Sequence, residues 1–228
     1  MIESITAKEN KKLKLISSLS AKKGRIKNNA YLVEGKRMVL EAFEYVRDAI
    51  MFIIISENFS SENKDLVTSL DESAISVYTV SDKLFKESVD TMNPQGIAAA
   101  VSIKNLSVKK SELNDINKIL ILDGISEPGN LGTIIRTAEA AGIELIYLLK
   151  GCADIYNPKV VRSTMGSIFR TEFVFADNAE ILNDVKKHGF KIICSCLENS
   201  VDIYRYIADR GRLLLLLEAK LLVYQRKF

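Results

Sequence analysis

Histidine is almost missing from this 228-residue chain, and cysteine is scarce. The one histidine is His188, and the three cysteines are Cys152, Cys194 and Cys196. Neither set has the spacing of a zinc site, so neither a metal nor a histidine-based catalytic triad is expected. An odd number of cysteines without a framework pattern reads as buried, reduced thiols in a cytoplasmic protein. Long hydrophobic runs are also lacking. No apolar stretch approaches the length of a bilayer crossing, and the polar N-terminus has no apolar signal-peptide core, so no membrane partner is expected. There is no internal repeat and no low-complexity tract beyond one leucine run, Leu213 to Leu217.

What is present is ordinary for a globular protein: 47% hydrophobic and 27% charged residues, in a chain long enough for one large domain or two small ones. The net charge of +3 is modest, but its distribution is uneven. Residues 1–37 hold eight Lys and two Arg against three Glu, a local balance of +7 that leaves −4 for the rest. A basic segment on a near-neutral body suits a polyanion such as RNA. A solvated lysine face gives the same pattern, so charge alone supports RNA only weakly.

The hydrophobic pattern alternates between strand and helix periods along the whole chain. Thr6-Ala7-Lys8-Glu9 reads as a capping box opening a short helix, in which Leu13, Ile16 and Leu19 recur at helical spacing. Strands at 31–33, 51–55, 77–80 and 96–103 then alternate with helices at 36–46, 62–70 and 82–89. A polar stretch without a period, 104–117, reads as a linker. A second series follows: strands at 118–122, 145–149, 172–175 and 191–195, with helices at 131–141, 158–168 and 179–188. Leu213 to Leu217 is a further buried-strand candidate. Such alternation predicts an α/β protein, with a parallel sheet in its second domain and functional loops at the carboxyl ends of the strands.

One stretch carries more than periodicity. Leu122 to Gly142 reads LDGISEPGNLGTIIRTAEAAG, an apolar strand followed by a glycine-rich loop that opens a helix. Gly124, Gly129 and Gly132 allow a tight turn and close approach to a ligand, and the first helical N–H groups favour anions. The spacing matches neither a Walker loop nor a dinucleotide fingerprint. Spacing alone leaves open a small-molecule site, including a nucleotide site, or no site at all.

The same stretch resembles the first signature motif of the SpoU/TrmH family of RNA ribose 2′-O-methyltransferases, in the SPOUT superfamily. The match lies in Glu127-Pro128-Gly129-Asn130-Leu131-Gly132 followed by Arg136-Thr137-Ala138. Asn157 to Ser167, reading NPKVVRSTMGS, resembles the family's next helix. Val33-Glu34-Gly35-Lys36-Arg37 and Asn93-Pro94-Gln95-Gly96-Ile97 resemble the two ends of its substrate-binding domain. The resemblance runs from about Ile5 to Leu217. It implies a small ribosomal-protein-like α/β RNA-binding domain (1–103), a linker (104–117) and a SPOUT-type parallel α/β methyltransferase domain (118–228).

The resemblance also implies the chemistry. S-adenosylmethionine is the methyl donor, the acceptor is a ribose 2′-hydroxyl of rRNA or tRNA, and Asn130 and Arg136 are the catalytic pair. Guanidinium stays protonated in proteins, so Arg136 is expected to hold phosphate and stabilise developing oxyanion charge, not to take a proton. Without the motif, Arg136 would read as a structural ion-pair partner. Glu127 is counted with the RNA-binding residues, and it orients the loop or favours the helix N-terminus through the dipole. Lys36 and Arg37 are the expected RNA contacts of the first domain. Arg162 and Ser163 are further candidates for RNA phosphate, although a solvated face accounts for them equally well.

After Leu217 the family normally continues with two motifs that tie a C-terminal trefoil knot and build most of the methyl-donor pocket. Here the chain reads EAKLLVYQRKF. The expectation is an incomplete knot, an incomplete cofactor pocket with no cofactor-binding residue assigned, and loss of the family's homodimer contact. It weighs against turnover and leaves two alternatives: a truncated or frame-shifted descendant, or a non-catalytic RNA-binding protein derived from the family.

Overall fold

A computed structural model describes residues 2–103, 113–176, 180–194 and 211–218 of the chain. Packing divides it into two units: Met1–Lys104 with Asp154–Phe169, and Asn105–Ala153 with Arg170–Phe228.

In the first unit, short β-branched and aromatic runs form a five-stranded mixed sheet. Its strands are β1 (Glu3–Ile5), β2 (Ala30–Glu34), β3 (Ile50–Ser56), β4 (Val77–Val80) and β5 (Ile97–Ser102), in the order β1-β4-β3-β5-β2. β1, β4 and β3 run parallel, while β5 is antiparallel to both β3 and β2. Alternate residues of each strand serve opposite faces. Leu32, Phe52, Ile54, Tyr78 and Val80 meet Leu13, Ile16 and Leu19 in one buried cluster. Those three come from α1 (Lys11–Ser18) and the residue that ends it. The same cluster takes Phe85 from α6 (Asp82–Ser88). Tyr31 and Val33 turn to the other face. There Tyr156 lies against Tyr31 with ring centroids 4.8 Å apart. α3 (Lys36–Tyr45) buries Met38, Val39 and Ala42 against β2 and β5. Each fully buried Leu, Ile or Phe contributes about 1.5–3 kcal/mol, and these two layers hold the sheet.

The second unit is built on an all-parallel sheet, as the alternating pattern predicts. β6 (Lys118–Asp123), β7 (Leu145–Leu148), β8 (Glu172–Phe175), β9 (Lys191–Cys194) and β10 (Leu213–Glu218) lie in the order β8-β7-β6-β10-β9. The leucine run takes a central place, with Leu213 opposite Lys118 on one side and Lys191 on the other. Only Leu214 and Leu216 of the run are buried, alongside Ile119, Ile121 and Leu182, so it is a two-faced strand. α7 (Pro128–Ala140) follows β6, and α9 (Glu180–Lys187) precedes β9.

Several elements differ from the sequence expectation for local reasons. Helix α1 starts at Lys11 because Asn10 caps it, its side chain accepting from the Lys12 N–H at 2.8 Å, where Thr6 was expected to do so. The helix expected at 62–70 is two, α4 (Glu57–Glu62), capped by Ser56, and α5 (Lys64–Asp71). Strand β1 and helix α2 (Lys22–Asn28) were not foreseen. The helix expected to reach Ile168 stops as α8 (Pro158–Ser163), because Met165 and Gly166 take left-handed φ of 53° and 101°. Cys194 is exposed on the edge strand β9, contrary to the expected burial, while Cys152 is half-buried. Cys196, most of the expected linker and the chain after Glu218, where the knot was expected to be incomplete, lie outside the described residues. Leu113 and Ile116, at the end of that linker, join the core of the second unit.

Candidate functional site

The glycine-rich turn sits where sheet physics places ligand sites, beyond the carboxyl end of β6. The chain departs from β6 to β7 and β8 on one side, and β10 flanks it on the other, so the strand order reverses at this point. Gly124 turns the backbone at a φ of 67°, a conformation that costs a side-chain-bearing residue. Glu127 then caps α7, its Oε2 accepting from the Asn130 N–H at 2.8 Å, and Pro128 fills the first turn, where its missing N–H costs nothing. The expected loop-orienting role of Glu127 thus takes a definite form as the helix cap.

Leu131, Gly132, Ile135 and Ala138 form the buried stripe of α7. Asn130, Thr133, Arg136, Thr137 and Ala140 are exposed. At about 100° per residue, Asn130 and Arg136 bound one exposed arc of about 120°, with Thr133 between them. Both threonine hydroxyls are spent on the helix: Thr133 donates to the Gly129 carbonyl at 2.8 Å and Thr137 to that of Thr133 at 2.9 Å. The Arg136 guanidinium is exposed and has no partner among the described residues. A charged donor left uncommitted beside a carboxamide on one helix face suits a phosphate or an oxyanion.

The loop after β7 braces this turn. Leu149 and Ala153 N–H groups donate to the Leu122 and Ile125 carbonyls, both at 2.9 Å, and the Cys152 thiol donates to Leu122 at 3.3 Å. Burial pushes the Cys152 thiol up, which makes it a poor nucleophile. Burial likewise raises the Asp123 carboxyl above its ordinary range. Arg170 fixes the far end of α7 through Glu139, Nε to Oε1 at 3.0 Å.

The remaining candidates belong to the first unit. Lys36 and Arg37 open α3 behind Gly35, which has a φ of 97°. They line a surface cavity of about 650 Å³ with Glu41, Glu44, Glu62 and Asn63, and Lys36 Nζ is held by Asn63 Oδ1 at 2.6 Å. Arg162 is engaged: both terminal nitrogens bond Asp90 Oδ2 at 3.1 Å, and Nη1 lies 3.9 Å from Glu34 Oε2. Glu34 is buried, its other oxygen accepts the Thr91 hydroxyl, and Oε2 has no hydrogen-bond partner among the described residues. The Ser163 hydroxyl donates to the Val160 carbonyl at 2.9 Å. Sequence reasoning missed Arg25, which is buried and bonds Asp154 Oδ2 at 2.7 Å and the Leu19 and Ser20 carbonyls at 2.8 Å. Its partner lies 129 positions away, beyond the reach of any local pattern.

S-adenosylmethionine would need loops from several strand ends. The described residues supply the β6, β7 and β8 ends, and at the first two a Cβ on Gly151 would stand 3.4 Å from the Gly124 α-carbon. The chain beyond Cys194 and Glu218, at the ends of β9 and β10, lies outside them. No described residue is assigned to the cofactor. Among the described residues no group of three or more His, Cys, Asp or Glu could hold a metal ion, and no helix is long and apolar enough to cross a membrane.

Fold and site together define a class: a two-unit α/β protein with an exposed Asn/Arg helix face at the switch point of a parallel sheet. Residues 117–217 match the SpoU rRNA Methylase family, and residues 10–99 match the MRM3-like substrate binding domain. The 23S rRNA (guanosine(2553)-2′-O)-methyltransferase RlmP of Bacillus subtilis is 32% identical over 198 residues, 87% of this chain and 75% of that protein. The mitochondrial rRNA methyltransferase 3 of Homo sapiens is 32% identical over 154 residues, 66% of this chain but only 36% of that protein. An AdoMet-bound rRNA methyltransferase from Sinorhizobium meliloti superposes with a TM-score of 0.79 at 25% identity, covering 96% of this chain and 82% of that one. The chain belongs to the SpoU family of S-adenosylmethionine-dependent RNA 2′-O-methyltransferases.

Proposed function

We propose that this chain methylates a ribose 2′-hydroxyl of ribosomal RNA, with Asn130 and Arg136 at the acceptor. The observation that carries this reading is the exposed α7 face, where an uncommitted guanidinium and a carboxamide share one arc beyond the end of β6. S-adenosylmethionine, when bound, supplies an electrophilic methyl group that needs no metal. The chain's own task is then to hold the hydroxyl in line and stabilise the charge that develops on its oxygen as the O–H bond breaks and its proton passes to solvent. The Arg136 guanidinium, a donor that cannot serve as a base, pairs with the RNA phosphate and the developing oxyanion. The Asn130 carboxamide can both donate and accept, which suits it to orient a sugar hydroxyl. The bond from Glu127 to the Asn130 N–H fixes the first turn, so this pair is presented on a rigid element.

Transfer of labelled methyl from S-adenosylmethionine to ribosomal RNA, followed by nuclease mapping of 2′-O-methylated positions, tests the proposal. Arg136→Ala is expected to lower the rate by about 10²–10³, as loss of an oxyanion donor does, while the thermal melt stays in place. Wild-type turnover that survives Arg136→Ala removes Arg136 from the acceptor site. RNA binding without any turnover favours the non-catalytic alternative.

A further inference from the structure

We propose that the helical hairpin of α1 and α2, and not the cavity at the start of α3, is the surface on which the RNA phosphate backbone docks. This rests on the reading of RNA as the substrate and assigns the part of the first unit that grips it. Residues 10–29 contain six lysines and Arg25, with no carboxylate among them. Two of these cations are spent within the fold. Arg25 is buried against Asp154, and the Lys12 ammonium lies over the rings of Phe52 and Tyr78, at 4.9 and 4.4 Å from their centroids. The other five, Lys11, Lys14, Lys22, Lys23 and Lys27, are exposed and have no ion-pair partner among the described residues.

The hairpin is rigid, so these charges are held and do not merely trail in solvent. Gly24 permits the two helices to touch: a Cβ there would stand 1.9 Å from the Ser18 carbonyl oxygen. Asn28 Nδ2 donates to the Gly24 carbonyl at 2.8 Å and to Ser18 Oγ at 3.2 Å, and Arg25 ties down the two carbonyls that end α1. Beside the lysines of α2, Ile26 is 69% exposed, which offers an apolar contact to a ribose or base on the same face. Along the groove that Lys14 lines, Glu87 is neutralised by Lys8 at 2.7 Å, leaving Glu9 as the bordering carboxylate.

The rival cavity is electrostatically the reverse. Its two cations, Lys36 and Arg37, share the walls with Glu41, Glu44 and Glu62, and Lys36 is already held by Asn63. Phosphate entering there would meet more carboxylates than cations. The cavity also opens beside α3, whereas α1 packs on the opposite face of the sheet, so the two surfaces can be tested separately.

The test measures binding of the full chain to a fluorescein-labelled RNA duplex across a salt series. Each lost phosphate contact reduces the slope of log affinity against log salt by about 0.7–0.9. The triple substitution Lys22→Ala, Lys23→Ala, Lys27→Ala should reduce it by about 2–3, and Lys11→Ala with Lys14→Ala by a further 1–2 or so. Lys36→Ala with Arg37→Ala should leave the slope in place. Slope loss that follows the Lys36/Arg37 pair, with the five lysines indifferent, overturns the inference while leaving the RNA reading intact. Failure of the wild-type chain to bind RNA even at low salt defeats both. As a readout independent of substitutions, acylation of lysines in the wild-type protein should show Lys22, Lys23 and Lys27 protected by the duplex and Lys36 unprotected. The reverse pattern also counts against the hairpin.

Discussion

Arg25, Arg136 and Arg162 each follow an apolar or small neighbour in the sequence, yet each ends in a different environment. Arg25 is sealed on Asp154, Arg162 is shared between Asp90 and Glu34, and Arg136 is exposed with no partner among the described residues. An outward Arg136 followed only from the family resemblance, whereas the helical face was legible, because strand, turn and helix are contiguous from Ile119 to Ala140. The fates of Arg25 and Arg162 were not, since their partners lie 129 and 72 positions away. Asp123 adds a testable pH effect at this scale. Burial raises its carboxyl above 3.8, so the folded state favours the protonated form. The resulting cost to stability is absent below the unfolded value, grows as pH rises through the folded one, and is complete at neutrality. Asp123→Asn is therefore expected to raise the melting temperature slightly near pH 7, solvent screening keeping the effect small, and to change nothing near pH 3. Calorimetry at both values checks this, and equal effects at the two would remove the desolvation account.

Elements were legible in proportion to their apolar content. The strands at 77–80 and 172–175 fall as expected because a short run of alternating or continuous apolar residues has few other ways to be buried. Helix α2, reading KKGRIKN, has no apolar stripe and carries a mid-helix glycine, so its pattern argues against a helix. It exists because Arg25 and Asn28 bond it to α1 and because Gly24 lets it lie there. Propensity and packing thus oppose each other at Gly24. Alanine would gain about 1 kcal/mol of helix propensity but would drive its methyl into the Ser18 carbonyl. Gly24→Ala is expected to destabilise the protein by about 2–4 kcal/mol, read by urea melts. A stabilised variant would show that the hairpin is looser than described. The early end of α8 has the same character. A helix continued through Met165 and Gly166 would forfeit the left-handed turn that seats Gly166 against Glu41.

For the whole molecule, the course of the chain matters more than the domain boundary that sequence suggests. Between β7 and β8 the crossover Asp154–Phe169 leaves the parallel sheet and packs as part of the first unit. There Asp154 closes on Arg25, Tyr156 covers Tyr31 and Arg162 reaches Asp90. A fragment of residues 1–103 would therefore keep Arg25 buried without its carboxylate and would bare one flank of β2. It is expected to lose about 3–5 kcal/mol relative to the same unit in the full chain, with weakened near-ultraviolet circular dichroism. Adding residues 154–169 through a flexible linker should restore both signals. A fragment that melts like the intact unit would show the crossover to be dispensable.

This two-visit path also bears on ancestry. A first unit completed by a stretch encoded inside the second cannot be exchanged by a single recombination event, because a foreign unit would arrive without its matching strap. Change confined to the exposed lysines and their neighbours would leave the buried Arg25–Asp154 lock untouched.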